Sequence, residues 1–442
     1  MAERVSLLLF LAGLLVCIVT GFSILYALAF GLICFFTYGL TKKHTVKQML
    51  SMIWSGISTA KTILIVFVLI GVLTSVWRSA GTIPYLIYHA VGLIQPDYFV
   101  LYTFLLCSGM SFLLGTSFGT AATMGVICMT IAQSLGINPM LSGGAILAGV
   151  YFGDRCSPMS SSALLVSTLT KTDIYRNLVL MFKTAAVPFA LTCIFYVVAA
   201  RGSIHAGSAA SLELFTEHFH MSWPVALPAV VILLFSLLRI NVKTAMAVSI
   251  GVGMLVCIFV QGIPLMKLLP SLWFGYSSSN AELAALLNGG GIVSMARVTL
   301  IILISTSYYG IFKNTELLSG VKQMIQQAAQ RITPLGAVLA TSVFMNTIAC
   351  NQTLATMLTF QTCEEVMPDQ QKLAITLENT VIVLAPLIPW SIAGGLPLTT
   401  IGAPTSSIFF AFYLYLIPIC HVVYELFLSK WIRRPAAVPK NG

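Results

Sequence analysis

Apolar runs of roughly twenty residues, the length that crosses a bilayer's hydrocarbon layer, recur along the whole chain. They fall at 5–20, 22–40, 52–77, 141–170, 174–199, 223–239, 244–262, 292–312, 373–400 and 406–428, with short polar loops between them. Two more apolar stretches, 98–135 and 336–362, are interrupted in the middle by polar residues. Each reads as a re-entrant hairpin or a pair of crossings, and either choice returns the chain to the side it came from. The pattern predicts an all-α integral membrane protein, since helices satisfy their own backbone groups in lipid. The opening MAERVSLLLFLAGLLVCIVT reads as a retained first span. Its n-region has one Arg and one Glu, and another apolar segment follows where a signal peptide would give way to a soluble domain.

Composition sharpens this reading. The chain is 58% hydrophobic and 8% charged, against about 25% charged residues in soluble domains, so the bilayer must act as solvent. A net charge of +10 would suggest nucleic acid until the basic residues are placed. Sixteen of 23 Lys and Arg fall on one side: Arg4, Lys42, Lys43, Lys47, Lys171, Arg176, Arg239, Lys243, Lys313, Lys322, Arg331, Lys372, Lys430, Arg433, Arg434 and Lys440. The other side holds Arg78, Arg201 and Lys267, while Lys61, Arg155, Lys183 and Arg297 fall within spans. Cationic loops stay inside, which predicts both termini cytoplasmic, an inner-membrane location and no nucleic-acid partner. The ten cysteines show no CxxC or Cys/His metal spacing and read as small buried hydrophobes.

The chain also repeats itself. KQMLSMIW (47–54) resembles MKLLPSLW (266–273), and Ala60-Lys61 opens a span as Ala296-Arg297 does. SFGTAATM (117–124) is echoed by CNQTLATM (350–357), and SPMS (157–160) by IPWS (388–391). Four echoes in the same order, 219 to 236 residues apart, predict a duplication. The first repeat would cover 1–200, the second 223–430, with a periplasmic or extracellular linker at 201–222 and a cytoplasmic tail at 431–442. Each half would have five crossings and one hairpin. An odd number inverts the second half relative to the first, the architecture of secondary transporters that bind cargo near the midplane on broken helices.

Candidate chemistry sits at four irregular points. GVYFGDRCSPMSSS (149–162) carries Asp154 and a hydroxyl cluster around Pro158 in mid-span; its freed backbone groups must line a cavity or be buried in protein. Asp154, Ser157, Ser160 and Ser161 are the first candidates, with Asp154 and Ser157 as Na⁺ ligands. Thr116, Ser117 and Thr120 mark the first hairpin tip; Asn346, Asn351, Gln352 and Thr353 mark the second. The second break, LAPLIPWSIAGG (384–395), adds Trp390 and Ser391, preceded by Glu378 and Asn379. Together they predict a small hydrophilic site for Na⁺ or H⁺, with or without an organic substrate. The plainer readings are that these hydroxyls bond a carbonyl one turn back, and that Asp154 pairs with Arg155, Lys61 or Arg297. Lys61 and Arg297 near span starts are placed to snorkel, and His89, His205, His218 and His220 lie in loops. Isolated breaks argue against a channel's continuous polar path. No nucleophile–base pair suggests an enzyme, and no P-loop suggests ATP-driven transport.

At these residues the sequence resembles the NhaC-type Na⁺/H⁺ antiporters. YFGDRCSPMS is similar to that family's Y-F-G-D-K-x-S-P-L-S stretch, and LIGVLTSVWRSAGTIPYLIYHAVGLI (69–94) to its third-span segment. NGGGIVSMARVTLIIL and LAITLENTVIVLAPLIPWSIAG resemble its G-G-x-x-S-M and L-E-D…P-L-I-P-W-N stretches. The resemblance implies two hairpins, two unwound helices, Na⁺ bound at tips and breaks, alternating access and no cofactor beyond the transported Na⁺ and H⁺. Family members exchange Na⁺ for H⁺, and some move small carboxylates such as malate and lactate, or amino acids; relatives in the superfamily are often homodimers. Two positions depart: Ser161 and Asn379 stand where the family has acidic residues. Their loss points to the alternative of an organic anion or amino acid exchanged with Na⁺ or H⁺.

Overall fold

A computed structural model describes residues 2–20, 22–93, 95–201, 210–238, 240–315, 320 and 333–432. Regular structure among them is helical, and the single β-bridge joins Tyr276 to Gly289. Among the described residues, four helices are long and apolar enough to cross a membrane: Ile24–Thr41, Asp97–Leu114, Ile174–Ala200 and Ile292–Phe312. Two bent pairs pass the same test, Leu64–Ser79 with Thr82–His89 (65°) and Gln370–Leu387 with Ile392–Thr400 (55°). The chain is a multi-pass α-helical membrane protein.

Local chemistry sets the boundaries. Thr45 and Gln48 form a reciprocal capping box at the start of Val46–Thr59. Asp173 caps Ile174–Ala200 by accepting from the Arg176 backbone N–H at 2.8 Å. The apolar run 52–77, expected as one span, is two helices abutting at Ala60, Val46–Thr59 and Lys61–Ser79. Polar Gln48, Ser51 and Ser55 give the first of these an amphipathic face. Residues 201–222, expected as linker, include the helix Ala210–His218, and Phe215 and Phe219 bury themselves beneath it. Residues 202–209 of that linker, with His205, and Arg239, Lys322, Arg331 and 433–442 lie outside the described residues. His89 lies on the helix Thr82–Leu93 and is exposed.

The packing interleaves the two ends of the chain. The N-terminal helices Ala2–Thr20 and Ile24–Thr41 share a core with Ala296–Thr315 and the second hairpin. The last helix, Phe412–Ile432, packs instead into the first hairpin and first broken helix. Small residues allow the closest crossings. A Cβ on Gly310 would strike the Met52 carbonyl, and one on Gly56 the Thr306 carbonyl, so these helices touch through backbone. Exposed Phe259, Met266 and Phe274, each about four-fifths accessible, lie on the outside of the bundle.

Candidate functional site

The first hairpin consists of Pro96–Leu114 and a second arm that begins at Ser117 and runs on through a π-helical turn, Ala121–Gly125, to Ser134. Gly115 turns the tip at φ +66°, where a side chain would meet the Met159 backbone. Only glycine takes that conformation at no steric cost. The tip therefore sits directly on the first break. There, Pro139–Cys156 stops, Ser157 is extended, and Ser161–Thr170 restarts the helix. Ser160 caps the restart by accepting from Ser162 N at 3.1 Å and Ala163 N at 3.2 Å. Its hydroxyl also donates to the Asp154 carbonyl, tying the two half-helices together.

A second tip and a second break lie in the second half of the chain. Pro334–Ala349 ends at Cys350 in the left-handed region (φ +54°), and Asn351 caps Gln352–Cys363 by accepting from Thr353 N (2.9 Å) and Leu354 N (3.3 Å). Gln370–Asn379 continues through short turns to Leu387, and Ser391 caps the restart at Ile392–Thr400. The Ile392 N–H donates to the Cys350 carbonyl at 3.0 Å, so this tip also rests on its own break. Among the bonds between the halves, two lie at these breaks: Gln352 Nε2 donates to Asp154 Oδ2 at 3.2 Å, and Tyr151 Oη to the Ala393 carbonyl at 2.8 Å.

At the meeting point is a cavity of about 110 Å³. Apart from Asp154, every residue lining it belongs to the start of one of four helices: Thr116, Ser117 and Phe118; Ser161 and Ser162; Asn351, Gln352 and Thr353; Ile392 and Ala393. Helix starts present unpaired N–H groups and partial positive charge. Here caps and the Cys350 carbonyl already pair the N–H groups of Ser162, Thr353, Ile392 and Ala393, so what these starts chiefly offer the Asp154 carboxylate is the positive end of each helix. Asp154 is 4% exposed, accepts from Ser162 Oγ at 3.0 Å and from Gln352, and makes no ion pair among the described residues. The space holds a few waters or one partly hydrated ion, against roughly 300–1,000 Å³ for a drug-sized ligand site.

The other sequence candidates lie elsewhere. Ser157, Ser160 and Ser391 accept from backbone N–H groups at the breaks, and the Thr120 hydroxyl donates to the Thr116 carbonyl one turn back at 2.8 Å. Asn346 Nδ2 donates to the Val381 carbonyl, and Trp390 Nε1 to that of Thr347. None of these six lines the cavity. Ser162, in the hydroxyl cluster but below its neighbours as a candidate, is the one whose hydroxyl reaches the Asp154 carboxylate.

Arg155 does not pair with Asp154. It is fully buried and turned the other way. Its guanidinium donates to Thr184 Oγ1 (2.8 Å), the Met181 carbonyl (3.3 Å), Tyr413 Oη (3.5 Å) and Asn379 Oδ1. Asn379 Nδ2 in turn lies 3.1 Å from His421 Nδ1. Glu378 is 1% exposed and its Oε2 has no partner. Thr184, Tyr413 and His421 had no motif to mark them; only the adjacency of an acid and a base in mid-span hinted that each would need its own surroundings.

The family model described as the Na⁺/H⁺ antiporter family matches residues 3–168 and 149–428. The Na⁺/H⁺ antiporter NhaC of Alkalihalophilus pseudofirmus is 26% identical over 375 residues, 81% of this chain and 80% of that protein. The malate-2H⁺/Na⁺-lactate antiporter of Bacillus subtilis is 26% identical over 418 residues, covering 89% and 88%. The arginine/ornithine antiporter ArcD of Halobacterium salinarum is 26% identical over 401 residues, covering 87% and 81%.

Proposed function

The chain belongs to the Na⁺/H⁺ antiporter family, and from that premise we propose that the Asp154 cavity is where it binds the Na⁺ that it exchanges for H⁺. The protein is a secondary active antiporter, with Na⁺ and H⁺ as cargo. One observation carries the assignment: an un-ion-paired carboxylate in a polar cavity of about 110 Å³, closed by the starts of four helices. Na⁺ is a hard cation that takes oxygen ligands, as Ca²⁺ and Mg²⁺ do. Asp154, Ser162, Ser117 and Thr116, with the amide oxygens of Asn351 and Gln352, supply them. The positive ends of the helices temper the carboxylate's hold on a cation, and a carrier must release what it binds.

Alternating access follows from the same construction. The four irregular segments come from both halves of the chain, so sliding one half against the other would expose the cavity to each side in turn. Inverted repeats over 1–200 and 223–430 are supported by spacing: the second arms begin at 117 and 352, the restarts at 161 and 392, 235 and 231 residues apart. The distribution of Lys and Arg supports cytoplasmic termini in the cell membrane.

The four helix starts also favour a second reading, in which a small carboxylate or amino acid is a further cargo. Its anionic group would sit on those N–H groups while Asp154 holds the coupling ion. Purified protein in sealed liposomes with an internal pH dye separates the two. A saturable pH change on adding Na⁺ alone, absent in Asp154→Asn, is the expected result. Silence with Na⁺ alone, rescued by a carboxylate or amino acid, would transfer the assignment to the second reading.

A further inference from the structure

Resting on the exchange reading, the structure points to a second ion site: we propose that Glu378, not Asp154, carries the transported proton, and that His421 admits it. The cluster around Arg155 shares no lining residue with the Asp154 cavity. It lies behind the wall of a different, larger cavity of about 730 Å³. Thr184 and His421 belong to that wall, and each also contacts the inner cluster, Thr184 through Arg155 and His421 through Asn379.

Charge explains the assignment. Arg155 is a fully buried cation with no carboxylate within ion-pair distance. The charges of Arg155 and Asp154 both act on Glu378. A dry interior penalises net charge heavily. With Na⁺ on Asp154 and Glu378 ionised, the set of Asp154, Na⁺, Arg155 and Glu378 is neutral. With Na⁺ gone and a proton on Glu378, the set of Asp154, Arg155 and the carboxylic acid is neutral again. Both sites empty leaves one net negative charge; both filled leaves one net positive. Na⁺ and H⁺ therefore exclude each other without sharing a carboxylate, and that exclusion is what antiport requires.

The route is built into one hydrogen bond. His421 Nδ1 accepts from Asn379 Nδ2 as a neutral imidazole. A proton given by hydronium in the larger cavity, which leaves as neutral water, forms an N–H at Nδ1 and ends that bond. Passing that proton on to the Glu378 carboxylate forms O–H there and restores the imidazole lone pair. Around this path the charged groups are Asp154 and Arg155 on the first broken helix, Lys183 on Ile174–Ala200, Asp369 and Lys372 at the start of Glu378's own helix, and Glu425 on the last helix. Lys372 and Glu425 pair at 2.7 Å. The other helices packed on Gln370–Asn379, namely Ser161–Thr170, Pro334–Ala349 and Gln352–Cys363, carry no charged side chain, and Cys363 is their titratable group.

The test measures radiolabelled Na⁺ binding and proton release together, on detergent-purified protein in weak buffer. Wild type is expected to release about one proton per Na⁺ bound, by linkage. Glu378→Gln should bind Na⁺ and release none, while Asp154→Asn should do neither. Proton release from Glu378→Gln at the wild-type level overturns this inference and leaves the exchange reading standing. Wild type that binds no Na⁺ overturns both. Should Glu378→Gln fail to fold, Glu378→Asp decides: the pH of half-maximal release must move, and an unmoved midpoint overturns the assignment.

Discussion

Asp154 and Arg155 are consecutive residues, yet their side chains leave the same helical turn for opposite surroundings. Successive residues on a helix point about 100° apart, which lets one turn serve two regions. Asp154 faces a small cavity made of helix starts, where the positive ends of helices and short polar side chains come from both halves of the chain. Arg155 enters a buried layer made of side chains from three other helices, Thr184, Asn379 and Tyr413. A place that trades its occupant is built from ends of helices, where polar groups are left over. A place that holds a permanent charge is built from side chains that gather round it.

The strongest test of that contrast replaces the permanent charge. Arg155→Met takes one donor each from Asn379 Oδ1 and the Met181 carbonyl, leaving them the Thr184 hydroxyl, and leaves Glu378 without a nearby cation. Breaking a buried charged network of this kind costs on the order of 3–5 kcal/mol, so the melting temperature should fall sharply. Arg155→Lys keeps the charge but not the fork, and should recover part of the loss. Asp154→Asn, by contrast, should melt close to wild type, because an amide still accepts from Ser162 and the cavity admits water. Equal melting of Arg155→Met and Asp154→Asn would erase the distinction between the two regions.

The sequence carried more of the first region than of the second, for a physical reason. Breaks and tips in a membrane segment need proline, glycine and capping hydroxyls, and such residues interrupt an apolar run visibly, as at Pro158, Gly115 and Asn351. The elements that build the cavity were legible for that reason, and so was Asp154. Which hydroxyl faces the cavity was not legible. Ser160 and Ser162 differ only by position on one turn, and the cap claims Ser160. The second region was dark because it is assembled across the fold: Arg155 meets Thr184, Asn379 and Tyr413, 29, 224 and 258 residues away. No local pattern marks a threonine or tyrosine that will turn toward a distant arginine. The expected span over 52–77 divided at Ala60 because hydropathy records how apolar a stretch is and not where its axis bends.

Within the first region, Ser162→Ala sharpens the contrast on a finer scale. It removes one of the two side-chain donors to the Asp154 carboxylate, at 3.0 Å, and leaves the cap at Ser160 intact. A hydrogen bond to a charged group contributes about 1.5–3 kcal/mol, less what water recovers in the vacated space. Half-saturation for Na⁺ should shift by roughly 5- to 10-fold, with little change in melting temperature, given about 1.4 kcal/mol per tenfold. The direction reports on what the donor does. Weaker Na⁺ binding means that Ser162 also faces the cation through its oxygen; tighter binding means that it only competes for the carboxylate.

The smallest effect is expected at Thr120, and it is informative because the residue is fully buried beside the first tip. Its hydroxyl donates to the Thr116 carbonyl, which already accepts from the Thr120 backbone N–H at 3.2 Å. The bond therefore duplicates one that the helix makes unaided. Thr120→Val keeps the shape, removes the hydroxyl and leaves that carbonyl with a partner, so its cost should stay near 0.5–1 kcal/mol. Half-saturation for Na⁺ should remain within about twofold of wild type, a change under roughly 0.5 kcal/mol. A larger change would mean that the tip hydroxyl turns into the cavity during transport. The boundary between groups that hold the helices and groups that hold the ion would then run through the tip itself.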